Sequence, residues 1–195
     1  ILHNGSGTTI LTADSSAFTG TTTVNAGKLL VNGTLGGTTT VASGGTLGGS
    51  GVIGGVMTLQ AGGILSPGGD GGNGTLNGTS LVWNGGGKID ITLGTAPTKL
   101  ILSGALTKGS AGVFEIDFSI DSGLTTGIYT LATFGSTTLG VGDLTYSGAG
   151  ITGNFILTGT ALEFQVVSVP EPGMPWLLAM GGMLLFGVAR RRLAA

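Results

Sequence analysis

Short segments in which apolar and polar residues alternate occupy the first half of the chain, and a glycine follows each of them. The segments are residues 21–24, 38–41, 56–59 and 80–83. Alternation with a period of two predicts β-strands, and the connecting stretches of Gly, Ser, Thr and Asn predict tight turns. The glycines are 18, 18 and 24 residues apart, and each precedes a large aliphatic residue by two positions: Gly27 and Leu29, Gly45 and Leu47, Gly63 and Leu65, Gly87 and Ile89.

This spacing indicates a repeat unit of two short strands and two glycine turns. A unit of that size is too small to bury its own apolar face, so successive units must stack and cover one another. The predicted fold class is therefore all-β, a β-solenoid or β-helix, with a repeat region at residues 1–87.

The repeat fades after residue 87, and longer alternating segments follow. Residues 113–121 place Phe114, Ile116, Phe118 and Ile120 on one strand face, with polar side chains on the other. An open stack would leave an unpaired strand edge, so we expect residues 88–168 to form a β-rich C-terminal cap, either as continued coils or as a small sandwich. Further strands are predicted at residues 99–103, 128–134, 143–146, 155–158 and 162–167.

Composition narrows the class of protein. The chain has 42 glycines in 195 residues, but 41% hydrophobic and only 8% charged residues favour a folded chain over a disordered one. Four lysines and eight carboxylates precede Val169, with no basic cluster, which disfavours nucleic acid as a partner. Cysteine is absent and His3 is the only histidine, so disulfides, thiolate metal sites and Ser-His-Asp catalysis are excluded.

The last 27 residues, 169–195, differ from the rest in composition. Two prolines hold the chain extended at Val169, Pro170, Glu171 and Pro172. Residues 174–189 carry no charge, and a helix of this length rises about 24 Å. This is somewhat short of the ~30 Å hydrocarbon core of a membrane, but the long arginine side chains that follow can make up part of the difference. The apolar run includes Trp176, Leu177, Leu178, Met183, Leu184, Leu185 and Phe186, and the stop signal that follows is Arg190, Arg191 and Arg192.

These features predict a single C-terminal transmembrane helix with the three arginines on the cytoplasmic side. Hydropathy leaves two alternatives open, a buried helix of a globular core and a tail anchor that is never processed. The beginning of the chain, where Ile1 is followed by polar residues and glycines, is typical of the C-terminal portion of a longer precursor.

The order of these three parts resembles the PEP-CTERM sorting signal of Gram-negative bacteria. The matching residues are Val169 to Pro172, the apolar helix with Gly181 and Gly182, and Arg190 to Arg192. This resemblance implies export, transient anchoring in the inner membrane, and recognition by an exosortase. It also implies cleavage near the Pro-Glu-Pro motif and release to the cell surface or the extracellular matrix.

A second resemblance lies in the repeat region. Residues 18–29, which read Phe-Thr-Gly-Thr-Thr-Thr-Val-Asn-Ala-Gly-Lys-Leu, are similar to the autotransporter-associated β-strand repeat. Residues 47–54 and 64–68 are similar to the sequence that commonly follows it. The resemblance implies a right-handed β-helix of the surface-exposed passenger type. A complete autotransporter is disfavoured, because its chain would end in many amphipathic barrel strands.

Motifs that bear chemistry are weak. Glu115 and Asp117 share a strand face and are a candidate glycosidase pair, but strand alternation alone predicts a solvated outer face for them. Residues 49–54 fit the dinucleotide pattern GxGxxG without a helix to follow, and residues 68–76 approach a calcium nonapeptide with Asn73 in a ligand position. Asn-Gly-Ser/Thr triplets at Asn4, Asn32, Asn73 and Asn77 are first of all turn signals. We therefore predict no catalytic residue, cofactor or metal.

The sequence is thus interpreted as that of an exported, non-enzymatic structural or adhesive protein of the bacterial surface or biofilm matrix. Its expected partners are the membrane, the exosortase, and afterwards exopolysaccharide or neighbouring copies. Trp83, Tyr129 and Tyr146 are candidate sugar contacts, although packing is the favoured role for each. The alternative is a carbohydrate-active enzyme, a polysaccharide lyase or hydrolase, whose catalytic part lies upstream of this fragment.

Overall fold

The computed structural model describes residues 1–68 and 73–169, and these residues form an all-β fold. The first eleven strands are β1 (Leu2–His3), β2 (Thr8–Leu11), β3 (Asp14–Ser15), β4 (Thr21–Val24), β5 (Gly27–Val31), β6 (Thr34–Leu35), β7 (Thr38–Val41), β8 (Gly45–Gly49), β9 (Val52–Leu59), β10 (Ile64–Pro67) and β11 (Thr75–Trp83).

The second half continues in the same manner, with a 3-10 turn at Val141–Asp143. Its strands are β12 (Lys88–Leu93), β13 (Lys99–Leu102), β14 (Ala105–Lys108), β15 (Phe114–Ile120), β16 (Gly127–Thr133), β17 (Ser136–Thr137), β18 (Leu144–Gly148), β19 (Thr152–Leu157) and β20 (Ala161–Ser168). Five of these nine strands, β13, β15, β16, β18 and β20, agree with the predicted strands to within two residues, because period-two alternation marks them. Strand β19 begins three residues earlier than predicted, and β12, β14 and β17 were not among the predicted strands.

Two long sheets run through the molecule. The seven-stranded sheet has the order β18-β15-β12-β10-β8-β5-β2 and is parallel throughout. The thirteen-stranded sheet begins β1-β4-β7-β9-β11, also in parallel pairs. The chain alternates between the sheets and returns to each one strand further along, which is the arrangement of a β-solenoid-like fold. Parallel pairing in the seven-stranded sheet continues from β10 through β12 to β15.

The register of the seven-stranded sheet reproduces the repeat found in the sequence. Gly27 lies beside Gly45, and Leu29 lies beside Leu47, which in turn lies beside Leu65. Leu65 then pairs with Ile89. These aliphatic side chains are buried, so the position two residues after each repeat glycine forms one inner row of the core. The predicted alignment of the repeats is therefore confirmed.

Each coil contains one more strand segment than the sequence predicted. Residues assigned to a turn include β6, which pairs with β3 and with the first residues of β9. Leu35 in β6 and Ile53 in β9 are completely buried. The first part of β9 and of β11 therefore forms an additional inner face, and a coil is better described as three short strand segments and their turns.

Some of the turns admit only glycine. Gly37 has a φ of +70°, in the left-handed region where other residues are strained, and a Cβ at this position would overlap the carbonyl of Gly20 in the preceding coil. The stacking distance between coils thus requires a residue without a side chain here.

The inner rows form one continuous hydrophobic core. Trp83 is completely buried, donates a hydrogen bond from Nε1 to the carbonyl of Gly87 at 2.9 Å, and packs edge-on against Phe114 with 5.4 Å between ring centroids. Two threonines interrupt this apolar interior. Thr22 and Thr39 are neighbours in the register of β4 and β7, and both hydroxyls are buried without a hydrogen-bond partner in the described structure.

The parallel pattern ends at the C-terminal side of the thirteen-stranded sheet. Strand β16 pairs with β20 in antiparallel fashion, and β20 pairs likewise with β19. Phe164 of β20 lies 4.7 Å from Phe118 and 4.8 Å from Tyr146, measured between ring centroids. Ile120, which the alternation placed with the core residues, is 39% exposed, because the inner row does not continue to the end of β15.

The predicted membrane segment lies outside the described residues, as do Pro170 to Pro172 and Arg190 to Arg192. Within residues 1–68 and 73–169, no helix has the length and apolar character needed to span a membrane.

Candidate functional site

The outer face of the seven-stranded sheet carries a continuous row of side chains, one from each coil. Pairing of the strands aligns Lys28 with Thr46, Thr46 with Ile64, and Ile64 with Lys88. The row continues through Glu115 to Thr145. These positions alternate along each strand with the inner aliphatic row, so the sequence pattern that builds the core also builds this surface.

A groove of about 330 Å³ lies on this face. It extends from β5 to β15, across five strands, which is about 19 Å at the usual spacing of strands in a sheet. Its lining combines hydroxyl, charged and aliphatic side chains from separate coils: Lys28, Leu30, Thr46, Ile64, Ser66, Asp90, Thr92, Asp117 and Ser119, with Phe118 at its base.

An ion-pair cluster stands at one end of the groove. Nζ of Lys88 lies 3.2 Å from Oε1 of Glu115 and 3.3 Å from Oδ2 of Asp117. The Ser147 hydroxyl lies 2.5 Å from Oε1 of Glu115 and 3.0 Å from Oδ1 of Asp117. Three successive coils contribute these groups, and each carboxylate is held by both a cation and a hydroxyl.

The cluster changes the acidity of its members. The hydrogen bond from Ser147, aided by Lys88, lowers the pKa of Glu115, although partial burial of the carboxyl group acts in the opposite direction. Partial burial opposes the charge of Lys88, but hydrogen bonds to Glu115 and Asp117 outweigh it and raise the pKa of the amine. At neutral pH, therefore, the cluster holds its charges as ion pairs.

Asp90 lies beside Asp117 in the register of β12 and β15, facing the groove. Burial, and then repulsion from Asp117, raise the pKa of its carboxyl group. Its Oδ1 atom is buried and has no hydrogen-bond partner in the described structure. A carboxylate in this position carries a cost that a cation in the groove would reduce.

Glu115 and Asp117, weighed above as a glycosidase pair, are neighbours on the outer face of one strand. Both are bound to Lys88 and Ser147, and their side chains are 32% and 39% exposed. Neither carboxyl group is buried in an apolar pocket, the usual means of raising the pKa of a general acid. The arrangement found here suits a structural or binding surface better than acid–base chemistry.

The remaining candidates occupy ordinary positions. Residues 49–54 run from the end of β8 into β9, so strand follows strand where a dinucleotide site requires a helix. Four of the nine residues of the calcium-like stretch, 69–72, lie outside the described residues, and its last two, Thr75 and Leu76, begin strand β11. No cluster of His, Cys, Asp and Glu that could hold a metal occurs in the described part of the chain.

The aromatic residues suggested as sugar contacts pack inward. Trp83 has no exposed surface, and Tyr129 and Tyr146 are partly buried against the core. The predicted sorting motif is described only at Val169, which is half-buried and packs against the same core. The remaining residues of the motif, Pro170 to Pro172, lie outside the described residues.

No protein-family model matches this chain, and a search of curated proteins finds no match. Functional inference therefore depends on the residues themselves. The sequence did not predict the groove, because its lining residues come from five coils and are far apart along the chain. Only the register of the paired strands shows that they are neighbours.

Proposed function

We propose that this protein is an exported, non-enzymatic structural or adhesive β-solenoid of the cell surface or extracellular matrix. The single observation that carries the binding half of the proposal is the groove on the outer face of the seven-stranded sheet. Parallel stacking repeats one surface position every coil, so a long ligand meets one side chain from each coil, at equivalent positions along its length.

The export half of the proposal is supported by the sequence of residues 169–195. In this proposal the coils wind right-handed, β19 and β20 form a cap, and residues 174–189 cross the inner membrane as a helix. Exosortase then recognises Val169 to Pro172 and releases the solenoid, while Arg190 to Arg192 stay on the cytoplasmic side. Exopolysaccharide and neighbouring copies are the partners after release.

Intact-mass analysis of the protein secreted by its native host, with a tag placed upstream of Val169, tests the export half. We expect a mature C-terminus near Pro172. A matched variant with Pro170 and Pro172 both replaced by alanine should retain Arg190 to Arg192. Retention of the three arginines in the unmodified protein would leave an uncleaved tail anchor in place of a sorted protein.

A further inference from the structure

The backbone around the groove restricts the chemistry of its ligand. Each of the five strands that line it, β5, β8, β10, β12 and β15, has a hydrogen-bonded neighbour on both sides. An extended peptide that adds to a sheet needs an unpaired edge. A ligand of this groove must therefore be recognised by side chains alone.

The side chains favour a polyhydroxylated ligand. Hydroxyl groups of Thr46, Ser66, Thr92 and Ser119 can both donate and accept hydrogen bonds, as the hydroxyls of a sugar can. Ile64, which is half-buried, supplies apolar contact for the C–H surface of a sugar ring, whereas Leu30 is buried. The length of about 19 Å suits several residues of a linear polymer rather than a single small molecule.

Charge discriminates between classes of glycan. Among the described residues, two lysines, Lys28 and Lys88, and three carboxylates, Asp90, Glu115 and Asp117, line or border the groove, an excess of one negative charge. Lys88 is already bound to Glu115 and Asp117. Asp90 lines the groove, and its carboxyl group has no hydrogen bond or ion pair in the described structure; because Oδ1 is buried, the ligand would meet the other carboxylate oxygen. An acidic polysaccharide would be repelled by this arrangement, and a glycan with free amino groups would offset it.

We infer that the groove binds a linear glycan that carries free amino groups, with Asp90 as the residue that selects the amine. The inference rests on the proposed function and names the class of polysaccharide. Thr46 and Ser66 bind sugar hydroxyls, Ile64 contacts the ring, and Asp90 faces an ammonium group. Because Glu115 and Asp117 are already paired with Lys88, Asp90 is the carboxylate that remains to bind the amino group of the ligand.

Calorimetric titration of the full chain in detergent with a chitosan hexamer tests this inference. The fully acetylated chitin hexamer and a hexamer of galacturonate serve as comparison ligands. We expect the order chitosan, then chitin, then galacturonate. The Asp90→Asn variant should lose about tenfold in affinity for chitosan, the worth of one partly screened charge pair, with little change for chitin.

Asp121→Asn is the matched control, because Asp121 directly follows β15, is not among the groove-lining residues, and contacts Thr95 and Ser122. Its affinities should remain within about twofold of the unmodified chain. Ser66→Phe should block all three ligands by filling the groove, and thermal melting establishes that each variant is folded. Equal affinity for chitosan and chitin, a preference for galacturonate, or equal losses in Asp90→Asn and Asp121→Asn would overturn the inference. Processing of the tail is measured separately, so failure here is distinguishable from failure of the export proposal.

Discussion

The buried hydroxyl of Thr39 offers a direct test of how the core is held together. Thr39 has no exposed surface and lies between Thr22 and Met57 in the register of the thirteen-stranded sheet. Its Oγ1 has no hydrogen-bond partner in the described structure. Valine has nearly the same shape and the same preference for strands, so Thr39→Val exchanges a desolvated hydroxyl for a methyl group with little steric change.

We expect Thr39→Val to stabilise the protein. Leaving a buried polar group unsatisfied costs about 1–3 kcal/mol, and removing it should recover roughly 1–2 kcal/mol of that free energy of unfolding. For a chain of this size the melting temperature should rise by roughly 3–6 °C. Urea denaturation followed by far-UV circular dichroism measures the change, and an unaltered m-value would show that the unfolding reaction is the same.

Thr40→Val on the same strand is the control, since Thr40 is only half-buried and lies on the outer face of β7. Its effect should remain within about 0.5 kcal/mol. Loss of stability in Thr39→Val, with Thr40→Val unchanged, would show that the Thr39 hydroxyl is satisfied after all, for example by an internal water.

Two further changes test the turns and the charged face. Gly37→Ala should destabilise the protein by about 1–3 kcal/mol because of its positive φ, and overlap with the carbonyl of Gly20 should add to this loss. Gly159→Ala, at an open position, should be nearly neutral in the same urea titration. Lys88→Met should cost roughly 0.5–1 kcal/mol at pH 7, and Lys99→Met less. The pKa of Glu115 is lowered on folding, so its contribution is present above the usual value of 4.5 and is lost as the pH falls below it. The difference between Lys88→Met and the unmodified chain should accordingly shrink in acid, and a difference independent of pH would contradict the role of the ion pairs.

Much of the fold follows from local sequence. The inner row of Leu29, Leu47 and Leu65 could be aligned in advance because each residue holds a fixed offset from a turn glycine. Alternation also predicted the longer strands β15, β16 and β20, since a period of two is visible in a window of six or seven residues, whereas the short strands β14 and β17 were not predicted.

The third strand segment of each coil could not be predicted in this way. Thr34 and Leu35 form a strand of two residues, which is too short to display a period, and they stand among glycines that resemble a loop. Only their stacking on β3 and β9 shows that Leu35 belongs to the core.

The candidate site depended still more on the folded register. Lys88 and Glu115 are separated by 27 residues, whereas the first coils repeat every 18. Unless the length of the intervening coil is known, no local sequence pattern indicates that the Lys88 amine and the Glu115 carboxylate are neighbours. Asp90 is unremarkable in sequence, and its significance comes from the burial and the charge that surround it.

The parallel register also has a mechanical consequence. Because the backbone hydrogen bonds between coils run along the stacking direction, tension applied along that direction is resisted by one coil boundary at a time. Each 18-residue coil that detaches adds up to about 60 Å of extended chain. A tethered molecule built in this way can lengthen stepwise under load while the coils that remain stacked keep their surface intact.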